Sequence, residues 1–168
     1  MPFTIYDASI PPMIRSLQNL SKIMDKAVAQ AKTEDKPLSA LLEARLASDM
    51  HPFTNQIQIA SDAAKGAAAR LAGIEPPGMP DTETTFPELQ HRIAKTVAFL
   101  QTIKPEQVKG AEDREIVMKF PQGEMKFTGR DFLTGFALPN FFFHVTTAYD
   151  ILRHKGIAIG KMDFLGGV

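Results

Sequence analysis

Four stretches of this sequence repeat apolar residues at intervals of three and four, and this period constrains the fold more than any other feature. The stretches cover residues 10–31, 53–73, 85–100 and 131–154. The spacing places the apolar side chains on one face of an α-helix. Because such faces must be buried against one another, we predict an all-α protein built as a four-helix bundle.

Local signals indicate where these helices begin. Ser9 is the predicted N-cap of the first helix, with the prolines at positions 11 and 12 in its first turn. The predicted cap of the second long helix is Ser48 or Asp49. Residues 85–88, with the sequence TFPE, have the pattern of a capping box at the start of the third long helix.

A small β-hairpin is predicted just before the last helix. Residues 114–120 and 124–128 alternate apolar and polar side chains, and a Pro-Gln-Gly turn joins them. The apolar face of this hairpin carries Ile116, Met118, Phe120, Met125 and Phe127. An isolated hairpin is marginally stable in water, so this face is expected to lie on the helices. Residues 38–46 predict a short extra helix, and Pro139 predicts a kink in the last helix.

Composition narrows the class of protein. A chain of 168 residues has the size of one domain, and we predict a single domain over residues 1–168. Its 19 basic residues balance 19 acidic residues, which argues against nucleic acid or an anionic membrane as the main partner. The absence of cysteine excludes disulfides, cysteine metal sites and thiol nucleophiles. With no secretory signal pattern and no long apolar run, the expected location is the cytoplasm.

A polar stripe crosses the last helix, where His144 follows three consecutive phenylalanines. Asn140 lies one turn before His144, Thr147 lies one turn after it, and Gln56 interrupts the apolar face of the second long helix. Polar groups inside an apolar bundle are costly unless they are paired, and bundle interiors are common ligand sites. Three interpretations of His144 stay open at this point: a hydrogen-bonded core histidine, a residue that binds a small molecule, or a metal ligand.

Several segments carry a resemblance to a known family. They are LASDMHPFTNQIQIASDAAKGAAARLAG, DTETTFPELQHRIAKTVAFL, EDREIVMKF and LPNFFFHVTTAYDILRHKG. In this order they resemble a bacterial family of unknown function within the superfamily of DinB-like four-helix bundles. That superfamily consists of proposed metalloenzymes that commonly dimerise. The resemblance implies a DinB-like bundle with a short extra helix and a small hairpin before the last helix, assembled as a homodimer.

The resemblance also implies where a metal would bind. Metal-binding members of the superfamily use one histidine from the second long helix and two from the last, spaced H-x-x-x-H. His144 matches the first of that pair, but its partner position holds Ala148. His51 could reach toward His144, and Asp49 could complete a set of two histidines and one carboxylate. We therefore predict that the three-histidine site has been lost and that the chain carries no metal or cofactor.

The leading functional hypothesis is a polar pocket for a small molecule around His144. The predicted ligand-binding residues are Gln56, Asn140, His144 and Thr147, with Asp49 and His51 at the mouth. No catalytic residue is assigned. Two alternatives come from other classes: a divalent-metal-dependent hydrolase or thiol S-transferase, and a structural or interaction module that acts as a dimer.

The phenylalanine run at residues 141–143 points three ways around the last helix. At least one of its rings must therefore face something other than the main core. One interpretation is packing beneath the hairpin, and the other is a homodimer interface, which the resemblance favours.

Overall fold

The computed structural model describes residues 3–167, apart from the side chain of Phe120. The long helices are α1 (Ile5–Thr33), α3 (Phe53–Ala72), α4 (Phe86–Thr102) and α6 (Leu138–His154). The short helices are α2 (Leu38–Leu42), α5 (Gly129–Asp131) and α7 (Lys161–Leu165). The strands β1 (Glu115–Phe120) and β2 (Gly123–Thr128) pair antiparallel. The predicted bundle with an extra helix and a hairpin is confirmed.

The four long helices are not arranged in chain order around the bundle. The main packing partners of α3 are α4 and α6, and α1 also packs against α4 and α6. Contacts between α1 and α3 are sparse, so these two consecutive long helices lie diagonally across the bundle. The long connections at residues 34–52 and 103–128 allow this path. Among the described residues, no helix is long and apolar enough to cross a membrane.

The core follows the predicted apolar stripes. Fully buried side chains come from each long helix, among them Leu17, Ile57, Leu89 and Phe141. On α3 the buried face consists largely of alanine, including Ala60 and Ala64, so a neighbouring helix can approach closely. That small-residue face is the one that meets α4 and α6.

The start of α1 differs from the prediction. The helix begins at Ile5, because Thr4 forms a capping box with Asp7: the Thr4 hydroxyl accepts from the Asp7 N–H, and the Asp7 carboxylate accepts from the Thr4 N–H. Ser9, the predicted cap, lies inside the helix and donates its hydroxyl to the carbonyl oxygen of Ile5. The prolines at 11 and 12 therefore lie inside α1, which tolerates two missing N–H donors there.

The other caps give a mixed result. The capping box at the start of α4 is confirmed, since the Thr85 hydroxyl accepts from the Glu88 N–H and the Glu88 carboxylate accepts from the Thr85 N–H. The predicted cap of α3 by Ser48 or Asp49 is wrong. Pro52 occupies the N-cap position of α3, with no side-chain hydrogen bond to the helix.

The predicted distortion near Pro139 takes the form of a π-helical segment. Residues Phe132–Ala137 are π-helical and join α5 to α6, and the Leu138 N–H bonds to the carbonyl oxygen of Leu133. Such a segment inserts one residue into the helix and changes the hydrogen-bond register next to the proline, which has no N–H to donate. The helix that follows, α6, packs against α3.

The hairpin packs on the helices at its base. Ile116 pairs with Phe127 in the sheet, and the Phe127 ring lies 6.1 Å from the rings of Phe132 and Phe136. Nearer the turn, Met118 is half-buried against the core and Met125 is 49% exposed, so the described part of the apolar face is better covered at its base. The predicted placement of the Phe120 side chain lies outside the described residues.

The C-terminal segment returns to α1. Ile157 and Ile159 are buried, and α7 packs along α1. The Lys26 ammonium lies 2.5 Å from the Asp163 carboxylate, and the Asn19 amide donates to the carbonyl oxygen of Phe164. These contacts complete the side of the bundle opposite α3.

Candidate functional site

A hydrogen-bonded chain links α6 to the start of α3. His144 is 8% exposed, and its Nδ1 lies 2.7 Å from Oε1 of Gln56. Gln56 is 1% exposed, and its Nε2 donates to the backbone oxygen of His51 over 2.9 Å. Gln56 and His144 both interrupt apolar stripes in the sequence, and the structure places them against each other.

The two hydrogen bonds of Gln56 fix the tautomer of the His144 ring. A backbone carbonyl can only accept a hydrogen bond, so the NH₂ group of Gln56 must face His51 and its oxygen must face His144. Nδ1 of His144 is therefore the donor, and in the neutral ring Nε2 keeps its lone pair. The side chain thus offers Nε2 as a hydrogen-bond acceptor, a base or a metal ligand.

The environment also favours the neutral ring. Burial lowers the pKa of His144 below its ordinary value, because the charged imidazolium would lose hydration. The nearby charge of His51 lowers the pKa further. Near neutral pH, Nε2 of His144 is consequently unprotonated.

The flanks of His144 combine an aromatic ring and free polar groups. The Phe143 ring meets the imidazole edge to face at 5.2 Å and is itself 55% exposed. Asn140 is half-buried and Thr147 is 5% exposed on the same face of α6. Within residues 3–167, neither of these two side chains makes a hydrogen bond.

The remaining predicted residues lie at the edge of this cluster. His51 is exposed, but its carbonyl oxygen accepts the hydrogen bond from Gln56. The charge of its side chain lowers the pKa of His144. Asp49 is exposed in the loop between α2 and α3 and makes no hydrogen bond to any described residue. The structure therefore joins His51, Gln56 and His144 directly and leaves Asp49 only in the adjoining loop.

The donor set does not fit a three-histidine metal site. Ala148 is fully buried at the position one turn after His144, where the second histidine of the pair would stand. Within the described residues, no group of three or more histidine, aspartate or glutamate side chains is close enough to hold one ion. The imidazoles of His144 and His51 would supply two ligands, one fewer than catalytic zinc sites commonly take from the protein.

Comparison with known proteins agrees with this architecture. Residues 5–165 match the family described as a domain of unknown function, DUF1993. The chain belongs to this family. It is also similar to a DinB family member protein from Shewanella denitrificans, with 39% identity, a TM-score of 0.91, and coverage of 98% of this chain and 93% of that chain. No protein of curated function matches it.

A second polar cluster, which the sequence analysis missed, surrounds Arg92 of α4. Its guanidinium group is almost fully buried and contacts three carboxylates, at 2.8 Å from Asp62, 2.8 Å from Asp81 and 3.0 Å from Glu83. It also donates to the carbonyl oxygen of Pro80. The sequence contains a signal for this cluster: position 92 lies three residues after the buried Leu89, so the charged side chain of Arg92 stands on the apolar face of α4.

The Arg92 cluster is held in its charged form. Burial alone would raise the pKa of Glu83, but hydrogen bonds from Gln58, its own backbone and Arg92 outweigh burial and lower it. Burial alone would lower the pKa of Arg92, whereas the hydrogen bond to Glu83 and the charges of the three carboxylates raise it. The cluster therefore fixes the loop at residues 74–85 against α3 and α4.

Proposed function

We propose that this DUF1993 protein binds a small molecule through His144. The observation that carries the proposal is the Gln56 amide between His51 and His144, which leaves Nε2 of His144 unprotonated. A ligand with an O–H or N–H group could donate to this nitrogen. Asn140 and Thr147, which have no hydrogen-bonding partner within residues 3–167, would add polar contacts.

The flanking residues support such a site. The Phe143 ring provides an apolar, partly exposed surface against the imidazole. His51 and Asp49, both exposed, would stand at the mouth. With its lowered pKa, His144 would act as an acceptor that orients the ligand, or as a general base.

The test is a thermal-shift screen with a library of hydroxylated and amide metabolites. The wild type is compared with His144→Ala and with His154→Ala, an exposed histidine at the end of the same helix. A ligand of the proposed site raises the melting temperature of the wild type and His154→Ala, but not of His144→Ala. Equal shifts in all three proteins, or no shift with any compound, would contradict the proposal and favour the structural module.

A second candidate is a divalent-metal-dependent hydrolase or thiol S-transferase. It is favoured by the Gln56 side chain, which bridges the backbone of His51 and the His144 ring and so places the two histidines near each other. This candidate predicts one ion per chain in protein purified without chelators, and loss of that ion in His144→Ala. Elemental analysis with added zinc, nickel and iron is the measurement. Absence of an ion after all three additions would remove this candidate.

We further propose a homodimer that uses the α6 surface around Phe143, with the cytoplasm as its compartment. Phe141 is fully buried, whereas Phe143 is 55% exposed. The exposed ring of Phe143 supports this surface, whereas the hairpin ring Phe127 contacts Phe132 and Phe136. A second copy of the chain would cover this ring beside the His144 site.

Sedimentation velocity tests the homodimer. Phe143→Ser should convert a dimer to a monomer, whereas Met125→Ser, at a residue that is 49% exposed in the hairpin, should not. A wild-type protein that stays monomeric at high micromolar concentration would contradict the assembly.

A further inference from the structure

A groove separate from the His144 site runs between α4 and the loop at residues 74–85. Its volume is about 890 Å³, within the range of small-molecule sites. The loop lines it with residues that include Pro77, Met79 and Glu83, and α4 lines it with residues that include His91, Lys95 and Phe99. None of the six predicted ligand-binding residues, all within the described chain, lies in this groove.

The groove is built on a fixed frame. Arg92 binds the carbonyl oxygen of Pro80 and the carboxylate of Glu83, which ties the loop to α4. The Glu88 carboxylate accepts from the backbone N–H groups of Thr84 and Thr85, which fixes the end of the loop to the first turn of α4. Since proline also restricts this loop, the groove is held open before any ligand arrives.

Lys95 is the cation of the groove that has no carboxylate partner among the described residues. The two carboxylates of the groove are occupied, because Glu83 binds Arg92 and Gln58, and Glu88 caps α4. Lys95 and His91 are exposed and make no ion pair or hydrogen bond within residues 3–167. They lie four residues apart on one face of α4, close enough for both side chains to reach one anionic group.

An apolar surface adjoins these two donors. Phe99 follows Lys95 by four residues on the same face of α4, and it is half-buried. Met79 and Pro77 line the groove from the loop. The balanced net charge of the whole chain gives no general attraction for anions, so recognition would depend on these local donors.

We propose that this groove binds an organic carboxylate with an apolar body. The carboxylate contacts Lys95 and His91, and the apolar body lies on Phe99, Met79 and Pro77. The site is independent of the proposed function at His144, because the two share no residue.

The test uses two probes of similar shape, naphthalene-2-carboxylate and its neutral analogue 2-(hydroxymethyl)naphthalene. Titration of ¹⁵N-labelled protein should shift the amide signals of Lys95, Phe99 and Met79 with both probes. The carboxylate should bind about tenfold more tightly than the alcohol, as expected for a charge-assisted contact. Lys95→Gln and His91→Gln should each reduce that preference, while Lys22→Gln, an exposed lysine of α1, should leave it unchanged.

Three outcomes would overturn the inference: equal affinity for the two probes, signal shifts that map outside the groove, or the same preference in Lys95→Gln as in Lys22→Gln. All three exchanged residues are exposed, so the variants are expected to fold. His144→Ala should bind the carboxylate as the wild type does. A loss of carboxylate binding in Lys95→Gln but not in His144→Ala therefore concerns the groove alone and leaves the proposed function at His144 untouched.

Discussion

Nδ1 of His144 lies 2.7 Å from Oε1 of Gln56, and the two residues are 88 positions apart in the chain. Both side chains are buried, so neither can exchange its partner for bulk water without local opening. The same glutamine amide donates to the His51 carbonyl oxygen and so connects α6 to the approach to α3. The contact has a structural role and a chemical one, because it joins two elements and sets the tautomer of His144.

Replacement of Gln56 by leucine should destabilise the protein by about 1–3 kcal/mol, because a buried donor of His144 and the carbonyl oxygen of His51 both lose their partner. The free energy of unfolding from urea titration is the measurement. The double variant with His144→Leu should recover part of this loss, since both polar partners are then removed. Strictly additive losses would show that the contact contributes no coupling energy.

Asn140→Leu should change stability by less than about 0.5 kcal/mol, because its half-buried side chain makes no hydrogen bond within the described chain. It should nevertheless remove ligand binding at the His144 site. Thermal shift with a ligand identified on the wild type measures the second effect. A loss of stability comparable with that of Gln56→Leu would assign Asn140 to the core instead.

Stability should fall as the pH drops below 6.5, the ordinary pKa of histidine. The pKa of His144 is lowered in the folded protein, so below that pH the unfolded chain takes up the proton first. The contribution is therefore fully present above pH 6.5 and is lost as the pH falls toward the lowered pKa. His144→Gln should reduce the slope of unfolding free energy against pH in this window. An unchanged slope would contradict the assigned protonation state.

Arg92→Met should cost about 3 kcal/mol, because it leaves the largely buried Glu83 without its cation, whereas Asp62 keeps its ion pair with Lys65. Arg15→Met, at an exposed arginine of α1 that makes no ion pair to any described residue, is the matched control and should be nearly neutral. Chemical denaturation of both variants provides the comparison. Similar small losses in the two would mean that the Arg92 cluster does not anchor the loop.

Gly129→Ala should be strongly destabilising, because a Cβ at this position would lie 1.8 Å from the carbonyl oxygen of Ala111. Gly135→Ala places its methyl group where no atom beyond the adjoining residues and the nearby helix backbone lies within 4 Å, and it should be tolerated. Melting temperatures of the two variants measure the difference. Equal melting temperatures would mean that the backbone can move apart there at little cost.

The helices and strands of this protein were predictable from its sequence, because their signals are local. The apolar periods predicted the long helices, and alternation with a Pro-Gln-Gly turn predicted the strands that form at Glu115–Phe120 and Gly123–Thr128. The Thr85–Glu88 capping box could be read because both partners lie within one turn. Thr4 and Asp7 form an equally local capping box at the start of α1, although Ser9 was the predicted N-cap.

The sequence also marked Gln56 and His144, since each interrupts an apolar stripe, but it did not pair them. Packing of α3 against α6 decided that pair, as packing of α4 and its loop brought Arg92 to Asp62, Asp81 and Glu83. A side chain's place on its own helix follows from the helical repeat. Which helices become neighbours follows from how all the apolar faces are buried together, and only the tertiary structure fixes that.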